Sequence, residues 1–467
     1  MITGRKDTRE GGQPVKTAEK RSIDMLNGPV FGSMFRFFLP IMLGSLLQQL
    51  YAMVDAVVLG QFVGKTGLAA VGGSNVALIN LIVGFFVGLA SGASVVISQH
   101  FGARDDEAVS SAVHTAIAFS VAIGAAVTLI GFFGAPRLLR ILDTPEDTIQ
   151  YSIDYLRWYF VGMIPSMIYN MGSGILRAVG DSRRPLYFLI ACTVVNTVFD
   201  LLFVAVLKME VAGAAIATSL SQLVCAALVL WTMTRLPGAC RLELRKLRFD
   251  GWPLRRMLLI GIPAGLQSSL YGITNVIVQK AINLLGTNTV AAWTAFNKLD
   301  GYFWPISNAI GIAVMTFVGQ NYGARNRERI YKCIRVGFAM HLSFSVVFSL
   351  LIYLTRGLTV RMFTADPAVI AEGEQIITYL CFAYALMSCN EVLPSAMRGA
   401  GNAVKPTLIT LFGICILRLI LLKVMVFPHL SNLTIAICYP ITWVVASVLY
   451  ILYYKFGRWM PEYPKEQ

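Results

Sequence analysis

PLYFLIACTVVNTVFDLLFVAV, residues 185–206, is long and apolar enough to cross a bilayer, yet it holds Asn196 and Asp200 in its interior. Four residues apart on a helix, those two side chains share a face. A carboxylate at the bilayer centre costs about 3 kcal/mol or more, so it turns toward protein and takes a partner. The first apolar stretch supplies one in Asp55, with Tyr51 a turn before it. The chain reads as a scaffold that brings Asp55 and Asp200 together.

Of the 467 residues, 56% are hydrophobic and only 14% charged, with a mean hydropathy of +0.65. Soluble domains carry about a quarter charged residues, so this composition belongs to an integral membrane protein. A spanning helix takes about 20 apolar residues. Apolar segments fall at 36–62, 69–98, 108–134, 149–176, 185–206 and 210–234, and again at 257–285, 289–319, 330–354, 369–397, 406–427 and 432–455. The expected fold is all-α, with twelve transmembrane helices in two pseudo-symmetric six-helix lobes. Residues 1–30 read as a flexible cytoplasmic tail, 31–234 as the N-lobe and 257–455 as the C-lobe. RLPGACRLELRKLRFDGWPLRR (235–256) is a basic linker, and 456–467 a second cytoplasmic tail.

The net charge of +14 is unevenly placed. With alternating spans and the amino terminus inside, 28 of the 39 Lys and Arg fall on the cytoplasmic side. That is the positive-inside pattern, so the charge is assigned to topology and not to nucleic acid. Both termini are then cytoplasmic. The eight cysteines show no CxxC spacing and read as packing residues. His100, His114, His341 and His429 have no ligand spacing, so no built-in metal site is expected. Residues 1–30 lack the apolar core of a cleavable signal peptide.

The two halves repeat. SQHFGAR with Gly102-Ala103-Arg104 returns as GQNYGAR with Gly323-Ala324-Arg325, and LRAVGDSRRP with Arg177, Gly180 and Pro185 as MRGAGNAVKP with Arg398, Gly401 and Pro406. All share one offset of 221 residues, and Pro40 and Pro263 nearly fit at 223. Six spans per half make the repeats parallel, a plan in which substrate sits between halves that rock against each other. The repeated Gly and Arg read as turn chemistry, glycine for a positive φ and arginine snorkelling to headgroups.

Depth places the polar residues together. At 1.5 Å per residue, Asp55 lies about 28 Å and Asp200 about 22 Å along outward-running helices, and Thr218 lies about 12 Å down the returning one. Tyr51, Asp55, Asn196, Asp200 and Thr218 are expected to line one N-lobe cavity. Two carboxylates in a poorly hydrated site cannot both ionise cheaply, so a proton or a cation is held between them. The C-lobe lacks this device, since Asn196 and Asp200 become Leu417 and Leu421. It carries Glu391 and Arg418 instead, as an interhelical ion pair or as contacts to a charged substrate. Lys298 and Asp300 are expected to pair locally or face the cleft. Met163, Met167, Tyr169, Tyr302, Phe303 and Trp304 are candidates for lining a promiscuous apolar cleft.

These features resemble the MATE (multidrug and toxic compound extrusion) transporters, prokaryotic branch. The likeness rests on Pro40, the GAR loops and LRAVGDSRRP followed by VNTVFD, and runs over residues 31–455. It implies H⁺- or Na⁺-driven antiport of amphipathic, often cationic small molecules through a cleft between lobes, in a prokaryotic inner membrane, by a monomer without a cofactor. It also implies an N-lobe cation site at Tyr51, Asp55, Asn196, Asp200 and Thr218, with Asn170 as a further member. The alternative within transport is a flippase for a lipid-linked precursor, whose cleft should be richly cationic. No nucleophile, metal or phosphate-loop motif points to an enzyme or an ATP-driven pump.

Overall fold

The computed structural model describes residues 23–72, 74–142 and 144–462. The first lobe contains α1 (Val30–Phe62), α2 (Lys65–Gly72), α3 (Ser74–Gly102), α4 (Asp106–Ile141), α5 (Glu146–Val161), α6 (Met163–Ala178), α7 (Arg183–Asp200) and α8 (Glu210–Thr234). The second contains α9 (Gly251–Asn283), α10 (Thr287–Gly323), α11 (Arg327–Arg361), α12 (Pro367–Leu380), α13 (Met387–Gly399), α14 (Val404–Thr410), α15 (Leu417–Leu421) and α16 (Asn432–Phe456). Eleven stretches among the described residues are each long and apolar enough to span a membrane. The twelfth is α5 with α6, interrupted at Gly162, both pieces lying against α4 and α8. Gly162 is small because α8 crosses there, and a Cβ on it would meet Ser219 Oγ at 2.5 Å. The architecture is all-α, twelve spans in two lobes.

The repeat is structural as well as sequential. The break at Gly162 corresponds to Ala383, inside the 3₁₀ stretch Cys381–Leu386 that joins α12 to α13. A π-helical turn at Leu201–Val206 corresponds to another at Leu422–Val426. Gly180 and Gly401 take φ of 93° and 92°, as turn glycines do. In the Gly-Ala-Arg loops, however, Arg104 (58°) and Arg325 (56°) hold the positive φ, and the glycines do not. Gly102 and Gly323 serve a close crossing instead. A Cβ on Gly102 would lie 2.0 Å from Gln320 O, and one on Gly323 would lie 1.8 Å from Gln99 O. Gln99 Nε2 donates to Gly399 O at 2.8 Å, and Gln320 Nε2 to Ala178 O at 2.7 Å. These two bonds are themselves repeat mates, each reaching from one lobe to the other. They close the lobes together at the end that bears the basic loops.

At the other end the lobes part. The first half of α1 packs into the second lobe, where Met34, Phe37 and Phe38 meet Ala313, Phe317 and Val392. Beyond Pro40, which removes one backbone hydrogen bond and frees the helix to bend, its second half returns to the first lobe, with Val58 and Leu59 beside Tyr155 and Val204. Helix α9 mirrors this around Pro263: Met257 and Ile260 belong to the first lobe's core, Val278 and Ile282 to the second's.

Helices α3 and α9 nevertheless stay in contact through glycines. A Cβ on Gly88 would lie 2.2 Å from Gly265 N, and one on Gly92 2.3 Å from Met257 O. Because the obstructing atoms are backbone, Gly88→Ala and Gly92→Ala are each expected to destabilise the protein by about 1–3 kcal/mol. Loss of monodisperse protein after heating, followed by fluorescence-detected size exclusion, should come at lower temperature than in wild type. Unchanged melting would mean that this seam does not hold the lobes.

The stretch ahead of α1 is tied down from residue 23. Ile23 N donates to Gly180 O at 3.2 Å in one lobe, while Asn321 Nδ2 (3.2 Å) and Arg329 Nε (3.0 Å) donate to Met25 O from the other. Ile23, Met25 and Gly28, in the stretch expected as a flexible tail, are thus hydrogen-bonded to the lobes. Residues 1–22 and 463–467 of the two tails lie outside the described residues. The basic linker lies along α4, with Glu243 N donating to His114 Nε2 (3.0 Å) and Asp250 N to Thr115 Oγ1 (3.2 Å).

Candidate functional site

Helix α7 ends on Asp200, and the wider π-helical turn that follows is the kind of irregularity found where a buried polar group is positioned. Asn196 and Asp200 are completely buried and Thr218 on α8 nearly so. Helix α1 brings Tyr51 and Asp55 to them. Tyr51 Oη donates to Thr218 Oγ1 at 3.0 Å. With its amide nitrogen turned to the acids, Asn196 donates to Asp55 Oδ1 at 2.9 Å and to Asp200 Oδ2 at 3.1 Å. The shared Asn196 amide holds the two carboxyl groups side by side. Tyr155 and Tyr159 of α5 pack with Val54 and Val58 of α1 and with Val204, the residues flanking the two acids. Asp200 Oδ1 is buried without a donor among the described residues.

Two carboxyl groups bridged by one amide are too close for both to ionise cheaply, so a proton on one of them is one means of neutralising the pair. When that proton leaves, two like charges remain in contact in a site with one amide donor and one hydroxyl, and a monovalent cation is the other means of neutralising them. Asp55 is carried by α1 and Asp200 by α7, so the charge of the pair bears on the attraction between these two helices.

Of the six residues expected at a cation site, five meet here and Asn170 does not. Its Nδ2 donates back to Ser166 O at 2.9 Å, and its side chain lines the cleft between the lobes. That cleft comprises three adjoining cavities with shared walls, of about 140, 740 and 550 Å³. The smallest, nearest the closed end, is walled by Asn170, Arg177, Glu391 and Arg398. The middle one opens between Gln48 and Gln49 of α1 and Trp304 of α10. The third lies mainly in the second lobe, between Asp300 and Arg418, with Asn80 of α3 on its wall.

Glu391 and Arg418 form no ion pair with each other among the described residues. Glu391 lies beside Gly311 and shares the smallest cavity with Arg177 and Arg398, and Arg418 Nη2 donates to Thr442 Oγ1 at 3.1 Å. Asp300 is not paired to Lys298, which is exposed; it accepts from Tyr384 Oη and from Trp304 Nε1 (2.7 Å). Trp304 does line the cleft. Met163 and Met167 are instead packed with Phe86, Leu89 and Phe160 in the first lobe's core, and Tyr169 and Phe303 are likewise closed into cores. Tyr302 is half exposed on the outside of α10 and lines none of the three cavities. The cleft wall thus mixes amides, hydroxyls and charges with Tyr271, Trp304, Met387, Tyr439 and Trp443. Arg177 and Arg398, read from the sequence as headgroup-snorkelling turn residues, sit at its floor. Their exact repeat correspondence was the available signal.

A family model described as MatE matches residues 40–202 and 263–423, one block in each lobe. A probable multidrug resistance protein YpnP of Bacillus subtilis is 29% identical, the match covering 94% of this chain and 98% of the relative. A probable multidrug resistance protein NorM of Thermotoga maritima is 25% identical, over 91% of this chain and 92% of the relative. Among solved structures, a MOP superfamily transporter from Pyrococcus furiosus superposes with a TM-score of 0.85 at 23% identity, covering 93% of this chain and 97% of that one.

Proposed function

The chain belongs to the MatE family, and from that membership we propose that it is a secondary active antiporter exporting small amphipathic compounds in exchange for H⁺ or Na⁺. It is a transporter and not an enzyme. The observation that carries the antiport reading is the Asp55–Asp200 pair, bridged by Asn196, with Asn196 and Asp200 completely buried. An ion entering this pair neutralises it and pulls α1 toward α7. Helix α1 also packs on the second lobe through Met34 and Phe37, so the helix itself, with Pro40 between those contacts and Asp55, links the pair to the inter-lobe cleft. Alternating access then consists of breaking the Gln99–Gly399 and Gln320–Ala178 bonds while the far end closes. In the proposed orientation the protein lies in a prokaryotic cell membrane with its basic loops and both termini in the cytoplasm, and the cleft opens outward.

The test is ethidium efflux from proteoliposomes under a pH gradient and a Na⁺ gradient imposed separately. Transport driven by one of them is expected and names the ion. Transport driven by neither, with ethidium bound but not moved, overturns the antiport reading.

A further inference from the structure

Arg418 stands on α15 between two π-helical turns, Leu411–Ile416 and Leu422–Val426, which displace the short helix from regular α geometry on both sides. Its side chain is buried, 2% exposed. One guanidinium nitrogen is used on Thr442, and the group lies 4.2 Å above the Tyr439 ring. Its Nε has no partner among the described residues, and no carboxylate among them is within ion-pair distance. The acid that shares its cavity, Asp300, is already occupied by Tyr384 and Trp304. The repeat mate of Arg418 is Thr197, so the first lobe has no counterpart.

A buried guanidinium without a counter-charge is costly, and the fork of donors it presents matches a carboxylate or a phosphate. The cavity of about 550 Å³ is walled by Tyr271, Tyr439 and Trp443, flat surfaces suited to a planar ring. We propose that this second-lobe chamber binds a planar aromatic compound bearing an anionic group, carboxylate or phosphate, with that group on Arg418 and the ring against the aromatic wall. The inference rests on the efflux reading in that the compound bound is the one exported. It adds to the cleft a site for anions beside the lipophilic cations, such as ethidium, that the efflux reading expects.

The test is equilibrium binding by tryptophan quenching, with the full-length protein in phosphatidylcholine nanodiscs and no ion gradient. The probes share one ring: 2-naphthoate, 2-naphthyl phosphate, 2-naphthamide and 2-naphthylmethylammonium. A charge-assisted pair in place of a neutral contact should make the two anions bind about 10- to 100-fold tighter than the amide. Arg418→Gln should erase that preference and leave amide affinity in place, and Arg418→Lys should restore part of it. Equal affinity for acid and amide in wild type overturns the proposal, as does a preference that survives Arg418→Gln. Tightest binding of the ammonium would assign the chamber to Asp300 instead. The wild-type comparison decides the matter even if Arg418→Gln does not fold. Displacement of naphthoate by phosphatidic acid in the disc would identify a lipid headgroup as the source of the anion, and no displacement a soluble compound. Failure here is distinct from failure of antiport: Asp200→Asn should keep the anion preference while losing transport, and gradient-driven ethidium efflux without an anion preference would sink this inference alone.

Discussion

Asp200→Asn is expected to reduce ion-driven efflux by on the order of 100-fold, the range a lost coupling free energy produces. The substitution keeps the shape of the side chain and leaves an amide able to donate to Asp55, which accepts from Asn196 in the wild-type site. What it removes is one of two acids, and with it the like charge that forces the site to take up an ion. Equilibrium substrate binding and melting should therefore stay close to wild type. Asp55→Asn should behave in the same way, because the pair and not either member carries the exchange. Asn196→Leu is a different perturbation. It deletes the donor to both acids and should cost about 1–3 kcal/mol of stability, visible as a lower Tm. Wild-type transport by both Asp→Asn proteins would dismiss the pair as structural.

The second large effect is expected at the closed end. Gly102→Val places side-chain atoms where the Gln320 carbonyl oxygen now lies, 2.0 Å from an ideal Cβ, and Gly323→Val does the same at Gln99. Each carbonyl is held in the last turn of its helix, Gln99 O by Ala103 N and Gln320 O by Ala324 N, so α3 and α10 must separate and the Gln99 and Gln320 side-chain bonds must lengthen. In a background with the eight native cysteines replaced, Ser91→Cys provides a reporter on the smallest cavity. Labelling of that cysteine by a membrane-impermeant maleimide added at the basic face should rise from background to near completion in either Gly→Val protein, with loss of transport. A reporter that stays protected while transport continues would show that the glycines do not seal this end.

The sequence made one kind of information accessible and hid another. Tyr51, Asp55, Asn196, Asp200 and Thr218 could be grouped because a buried acid needs a partner and because depth along a helix follows from residue count. The twelve spans and the lobe repeat followed from hydropathy and from an offset shared by two loops. Depth does not give the direction a residue faces. Met163, Met167 and Tyr302 lie on spanning helices at plausible levels, yet two point into a lobe core and one points outward. Asn170 has the same fault, standing on the cleft face of α6 and not on the face toward α7.

The glycines of the GAR loops were misread for a related reason. A turn glycine and a contact glycine have the same letter, and only the position of the opposite helix separates them. Arg177 and Arg398 lie next to loops in the sequence, where snorkelling is the economical reading, but the lobes fold over them. Asp300 gave no local sign that its partner Tyr384 would come from 84 residues away.

The most direct test of the central claim is the occupancy of the carboxyl pair itself at neutral pH. Infrared difference spectra of wild type against Asp200→Asn, together with equilibrium binding of radioactive Na⁺, read both possible occupants in purified protein without relying on transport. The account predicts one of two results: a protonated carboxyl band present in wild type and absent from the variant, or one Na⁺ bound per chain and lost in the variant. Two ionised carboxylates with no bound Na⁺ in the wild-type protein would contradict it.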